Sequence, residues 1–326
     1  GFRIEKFKGD ISRERTSTTV TDATTANLSG ALRDVIWGND GFLTGKVDTS
    51  EWAGAIGALY KLTDRVSVYA NASRGYFFPE VRAVGFSPLP AGTAANASLS
   101  PGTASFDAEI IKQAQAGIKV SQPQFSFEAA VFYTDLKNRR QVLFVNAPGG
   151  GFQELVNLVA TESYGIEAQL DLKLLDNLRF NGNITLQKAK YTEFQTNVGG
   201  VPTSNPAIIG NDLERQPQLL YNAGLYYDDE MIDASLFTNY TANNFTASNN
   251  AIKLKGWHVA NFDAGVKFPI GENSVRLGVN IFNLFNTDAT TEGSPRLDNN
   301  QTVGGAYFVG RPVLPRRIMG RLSFNF

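Results

Sequence analysis

Cysteine is absent from the 326 residues, histidine occurs once, and no apolar run approaches the roughly 18 residues of a membrane-spanning helix. Each absence removes a class of function. Without cysteine there are no disulfide staples, thiolate metal sites or cysteine nucleophiles, although the compartment stays open. One histidine, His258, does not build a transition-metal site from protein ligands, so any iron would arrive inside a ligand. His258 is flanked by Trp257, Val259 and Ala260, with neither a serine beside it nor a partner to orient it as a base. It therefore reads as a rim residue beside an interfacial tryptophan, and neither an enzyme nor a cofactor is expected. A net charge of −1 and a pI near 6.0 supply no excess of cations, and nucleic acid drops out as a partner. With helices excluded, a membrane-crossing form has to be a β-barrel, because only helices and closed barrels satisfy every backbone group in lipid. The chain opens Gly1-Phe2-Arg3, without an initiator methionine or an apolar signal segment, and is expected to be a processed protein or a piece of a longer one.

Aromatics reach 11% and glycine 31 positions, while charged residues stop at 19%, under the roughly 25% of soluble domains. Mean hydropathy is −0.18. Their arrangement matters more than their number. From Pro315 to Phe326, the apolar or small residues Ile318, Gly320, Leu322, Phe324 and Phe326 alternate with Arg317, Met319, Arg321, Ser323 and Asn325. A period of two places these sets on opposite faces of a strand. The same alternation returns at Gly54 to Leu62, Val66 to Ser73, Phe125 to Thr134, Tyr164 to Lys173, Leu178 to Gln187, Tyr221 to Tyr227 and Ile232 to Leu236. In the last hairpin, Ala260, Phe262, Ala264, Val266 and Phe268 face Val275, Leu277, Val279 and Ile281.

Short turns are expected at Thr63-Asp64-Arg65, Gln122-Pro123, Leu175-Asp176-Asn177, Asp228-Asp229-Glu230 and Gly271-Glu272-Asn273. Long polar connections fall between them: the stretch after a short strand Gly1 to Lys8, Phe77 to Ser105, around Gly149 to Gly151, and Asn197 to Asp212. In membrane barrels short turns lie on the periplasmic side and long loops face outward, and about twelve strands is an even number as bacterial barrels require. The polar face also lacks the large apolar side chains of a sandwich core. The expected fold is an all-β, antiparallel transmembrane β-barrel occupying residues 1–326 as one unit.

Several stretches carry a resemblance: S-V-Y-A-N-A-S-R-G-Y-F-F-P-E (Ser67 to Glu80), E-S-Y-G-I-E-A-Q-L (Glu162 to Leu170), R-Q-P (Arg215 to Pro217), V-N-I-F-N-L-F-N (Val279 to Asn286) and the terminal strand. In this order they resemble the C-terminal part of TonB-dependent outer-membrane receptors, over nearly the whole chain. The resemblance implies a bacterial outer-membrane barrel of about 22 strands, filled by an N-terminal plug domain that carries the TonB-contacting box. Neither plug nor box is found in this sequence, so the chain is expected to be the C-terminal portion of such a barrel. The implied partners are outer-membrane lipid, the receptor's own plug, the TonB complex acting through it, and the barrel assembly machinery, whose signal the terminal Phe326 resembles. The implied cargo is a scarce nutrient, a ferric siderophore by default, with cobalamin or an oligosaccharide as alternatives. A plug-free passive porin or adhesin explains the alternation equally well.

Within that frame the inward-facing charges Glu167, Asp171, Arg179, Asp263, Lys267, Arg276, Arg317 and Arg321 are candidates for plug contact through charge-assisted hydrogen bonds. The alternative is a solvated channel wall. Arg74 and Tyr76, with Phe77 and Phe78, lie where a strand passes into an outer loop; they suit either an anionic or planar ligand or an interfacial aromatic girdle. Arg139 and Arg140 sit at another expected strand end, open to an anionic siderophore, a lipopolysaccharide phosphate or plain solvation. Asn280, Asn283 and Asn286 break the period of two, and their amides are expected to bond the backbone. The Asn-x-Ser/Thr triplets at Asn71 and Asn183 fall in strands, which argues against glycosylation.

Overall fold

The computed structural model describes residues 1–14, 42–78, 107–146, 152–198, 201–271, 273–297 and 306–325. Among them there is no helix. The strands are β1 (Phe2–Glu14), β2 (Phe42–Lys61), β3 (Val66–Phe77), β4 (Glu109–Ser121), β5 (Phe125–Asn146), β6 (Phe152–Leu175) and β7 (Leu178–Val198). They continue as β8 (Val201–Ser204), β9 (Leu219–Asp228), β10 (Ile232–Thr241), β11 (Asn244–Phe245), β12 (Lys253–Leu254), β13 (Trp257–Ile270), β14 (Asn273–Phe282), β15 (Thr290–Leu297), β16 (Ala306–Pro312) and β17 (Arg317–Asn325).

Twelve strands form one antiparallel sheet in the order β1-β2-β3-β4-β5-β6-β7-β9-β10-β13-β14-β17, with β8 appended to β7. The pairs β11-β12 and β15-β16 are separate. Each of the twelve strands pairs with the next of them along the chain, so successive strands are joined as hairpins, three of which carry insertions that hold β8, β11-β12 and β15-β16. Register follows the apolar period: Phe262 lies opposite Ile281, Ala264 opposite Val279 and Val266 opposite Leu277, as the alternation required.

The short turns have local causes. Thr63 Oγ1 accepts the amides of Arg65 (3.2 Å) and Val66 (3.1 Å). Asp229 accepts those of Met231 (2.8 Å) and Ile232 (2.6 Å), and the Tyr227 hydroxyl donates to it at 2.5 Å. Short oxygen-bearing side chains that satisfy the next backbone amides stabilise tight reversals.

One face of the sheet is apolar and exposed. Ile56, Val131, Ile166, Ile184, Leu225, Leu277, Leu322 and Phe324 all stand on it. A soluble protein does not leave an apolar band of this extent open to water, and a barrel in a membrane requires one.

Several expected boundaries move outward. The first strand continues past Lys8 to Glu14, the second begins at Phe42, and β5 and β6 run on to Asn146 and from Phe152. Arg139 and Arg140 therefore lie inside a strand. Beyond the bilayer both faces meet water or protein, so period two no longer marks the strand although the ladder persists. The expected loop Asn197 to Asp212 is folded as well: β8 pairs with the end of β7, and the following segment returns along β7 through Asn205 N to Phe194 O (2.8 Å), Gly210 N to Tyr191 O (2.9 Å) and Leu213 N to Ala189 O (2.9 Å). This places the buried Val159, Tyr191, Phe194 and Ile208 in one cluster, with Leu213 packed against it. The proline-bearing connection 79–106, the glycine run 149–151, most of the polar stretch after β1, and Phe326 lie outside the described residues.

Candidate lumenal wall and outer mouth

Near the short turns, the polar face of β9, β10, β13 and β14 carries a charge cluster built on glycines. Asp233, Gly265 and Gly278 are successive register neighbours across β10, β13 and β14. Arg276 lies flat over the two glycines: a Cβ on either would collide with its guanidinium. It thereby crosses β13 and reaches Asp233 with Nε at 2.8 and 2.9 Å from the two carboxylate oxygens, while Nη2 donates to Asp263 Oδ1 at 2.5 Å. Lys267 joins Asp228 and donates to the Asp229 carbonyl at 3.0 Å. The structure thus brings Asp263, Lys267 and Arg276 together and adds Asp228 and Asp233. Asp233 was legible only as one more polar position of the period, and Asp228 as a turn residue.

The remaining inward candidates are dispersed. Asp171 accepts from Asn181 (3.1 Å) and Gln169 (3.2 Å). The Arg179 guanidinium stands 5.8 Å from the Tyr226 ring centre and that of Arg317 5.3 Å from Phe282. Glu167 and Arg321 are exposed and have no ion pair among the described residues. Glu167 borders a depression of about 380 Å³ shared with Tyr69, Gln115, Glu128 and Asn183. Tyr69 crosses Gly117 to donate to Glu128 at 2.9 Å, the same use of a glycine as under Arg276.

At the outer ends, Arg74 and Tyr76 are neighbours and both are engaged. Arg74 donates to Glu51 at 2.7 Å and to the Trp52 carbonyl, with its guanidinium 4.5 Å from the Trp52 ring centre. Tyr76 donates to Glu5 at 2.6 Å, and its ring meets Phe78, which meets Phe7. Arg139 and Arg140 follow a bulge where Asn138 takes a left-handed conformation (φ 58°) and donates to the Ala108 carbonyl. Arg139 is exposed; Arg140 is half-buried with Nη2 unpartnered, and burial pulls its pKa down against the opposing pull of Asp107.

A polar centre that sequence reasoning missed lies beside the buried cluster. Glu214 accepts from Gln141 Nε2 at 2.6 Å and from the Tyr191 hydroxyl. Tyr191 is 1% exposed, and burial, then the bond to Glu214, pushes its pKa far up, so the phenol remains a donor. Glu214 stands in a segment with no periodicity, which left no sequence signal beyond its neighbour Arg215. His258 lies between Phe285 and Tyr221, with Tyr240 stacked on Tyr221, and contacts Thr238. It belongs to an aromatic row at the outer rim. Asn283 and Asn286, both at φ 53°, bond the backbone as expected: Asn283 Nδ2 donates to the carbonyls of Thr287 (2.9 Å) and Leu314 (3.0 Å), and Asn286 Oδ1 accepts from Arg316 N (2.9 Å). Asn280 stays in the regular ladder opposite Asp263 and Met319.

Comparison with known proteins agrees with this geometry. The family model described as TonB dependent receptor-like, beta-barrel matches residues 1–284. The chain belongs to the TonB-dependent receptor β-barrel family. Among solved structures, the ferric yersiniabactin uptake receptor FyuA of Yersinia pestis superposes with a TM-score of 0.61 at 18% identity, covering 89% of this chain and 39% of that one. The ferric preacinetobactin receptor BauA of Acinetobacter baumannii gives 0.60 at 16%, covering 87% and 39%. The copper transporter OprC gives 0.61 at 17%, covering 86% and 40%. The chain spans about two fifths of the length of these structures. No individually curated protein sequence matches it. The three solved proteins are receptors and transporters rather than enzymes, and their cargoes differ, so this fold alone does not select one.

Proposed function

We propose that this chain forms part of the wall of a bacterial outer-membrane receptor that imports a scarce nutrient, a ferric siderophore before others, with energy supplied through TonB. The observation that carries this reading is the contrast between the two faces of the sheet: an apolar exposed face for lipid, and a polar face on which Arg276 and Lys267 are paired within the wall while Glu167, Arg179, Arg317 and Arg321 are not held by carboxylates or cations of the described residues. The lumen of a barrel of about 22 strands, as the family resemblance implies, does not fill with its own side chains. The unpaired charges suit a plug domain docked inside, with Asp171 able to join them by exchanging its amide partners. Arg139, at the outer mouth, is the freest of the cations considered for an anionic cargo; Arg74 and Tyr76 are committed to Glu51 and Glu5 and serve the cargo only by giving those partners up. Cobalamin and oligosaccharide remain alternative cargoes, and the assembly machinery, through Phe326, a further partner.

Two experiments test this. In a planar bilayer the full-length natural protein should pass little steady current, and steady conductance would instead support a plug-free porin. In cells, uptake of the cognate ferric siderophore should vanish when TonB is deleted. Unchanged uptake would overturn the energised mechanism.

A further inference from the structure

The R-Q-P stretch, Arg215 to Pro217, lies just before β9. Arg215 adopts φ 60°, a left-handed conformation that non-glycine residues seldom take. In that conformation its two ends point to different parts of the outer mouth. The backbone amide donates to the Phe245 carbonyl at 2.9 Å, in the connection between β10 and β13. The guanidinium sits 3.0 Å from Glu292 Oε1, on the β15-β16 hairpin, and the other oxygen of Glu292 meets Arg311 of that hairpin at 3.3 Å. Two residues along, the buried Pro217 offers its carbonyl to Gln187 Nε2 at 3.0 Å, which fixes the stretch to β7.

The first of these joints is reinforced nearby. Asp212 and Asn250 pair twice, Asp212 N to Asn250 Oδ1 at 2.9 Å and Asn250 Nδ2 to Asp212 O at 2.8 Å, and Asn211 Nδ2 donates to the Ser248 carbonyl at 2.9 Å. The second joint has β15 lying beside β12, with the ion pair as its polar contact. The β15-β16 hairpin is a sheet of its own, tied at its base by Asn283 and Asn286. The ion pair to Arg215 is exposed, with 53% and 38% of the two side chains open to solvent. Such pairs are weak and yield to salt.

We propose that Arg215 is a coupling residue that joins three outer connections into one mechanical unit: a firm joint through its amide and a releasable latch through its side chain. Movement of the β15-β16 hairpin then reaches the segment 205–218 through Glu292 and Arg215. This holds whatever the cargo.

Hydrogen exchange read by mass spectrometry on the full-length natural protein in detergent tests the coupling. Arg215→Gly keeps the left-handed backbone and the amide while removing the latch; Glu292→Gln removes the same latch from the other side. Each is expected to speed exchange in 290–297 and 306–312 about two- to fivefold, the range of a weak surface pair, as is added salt in the unsubstituted protein. The double variant is expected to do no more than Glu292→Gln alone, which also loses the pair to Arg311. Glu292→Gln is also expected to speed exchange, by less, in 205–218, which that carboxylate meets through Arg215. Unchanged exchange in the hairpin, additive effects in the double variant, or an unaffected 205–218 segment would each overturn the proposal. Should Arg215→Gly fold poorly, Glu292→Gln and the salt series decide it alone.

Discussion

The spanning hairpins and the outer ledge bury apolar side chains in opposite directions. In the hairpins next to the short turns, Ile184, Leu225 and Leu277 point away from the polar wall and are exposed, so their burial depends on lipid. At the outer ends of β6 and β7, Val159, Tyr191 and Phe194 are buried under a returning segment of the chain itself, through Ile208 and Leu213. The same ladder thus takes its apolar cover from the membrane in one zone and from a folded connection in the other. Removing lipid should expose the first and leave the second covered.

Four expectations follow from that contrast. The largest concerns the ledge: Phe194→Ala should destabilise it by about 3–5 kcal/mol, the usual cost of emptying an aromatic site. Hydrogen exchange should show protection lost in 189–213 while the spanning hairpins keep theirs; loss everywhere would mean the two zones are one cooperative unit. Next, Ile184→Arg should cost about 2–4 kcal/mol if it lies near the bilayer midplane, whereas Asn183→Arg, one residue along on the polar wall, should cost far less. The folded fraction in lipid vesicles at graded urea separates the two, and equal costs would erase the distinction between faces.

Smaller effects probe the wall. Gly265→Ala puts a methyl where the Arg276 guanidinium lies and should cost about 1–3 kcal/mol through displacement; pairing it with Arg276→Ala should show strong coupling in a double-mutant cycle. The smallest effect is at the β9-β10 turn, outside the membrane. The Tyr227 hydroxyl, then the amides of Ile232 and Met231, hold the Asp229 carboxyl below its ordinary value of 3.8. A lowered folded pKa contributes stability in full above the unfolded value and loses it as pH falls through the folded one. Protection factors of the turn amides should therefore drop below about pH 3.8 and be flat above it, and Asp229→Asn should remove the dependence.

Sequence alone carried the spanning zone well. Where lipid meets one face and a wet lumen the other, as at Phe262 to Phe268, the period of two is imposed physically and reads directly as strand, face and register. The outer zone was illegible for the converse reason. Past Leu136 a bulge at Asn138 shifts the period, both faces of β5 lose their contrast, and the partners that bury Tyr191 come from Ile208 and Glu214 in a segment without periodicity. Single inward charges were recognisable, but not their grouping: Arg276 meets Asp233 only because Gly265 clears the path between them.

The assignment of faces is the central claim, and the absence of cysteine from these 326 residues leaves no native thiol beside the labelled positions in this stretch of the wall. Spin labels on single cysteines at positions 183, 184, 222 and 225 of the full-length natural protein, in outer-membrane vesicles, can be read by their relaxation with oxygen against a water-soluble nickel complex. Labels replacing Ile184 and Leu225 should favour oxygen, and those replacing Asn183 and Asn222 should not. Equal accessibility at adjacent positions would contradict a sheet with one face in lipid and the other on a polar lumen.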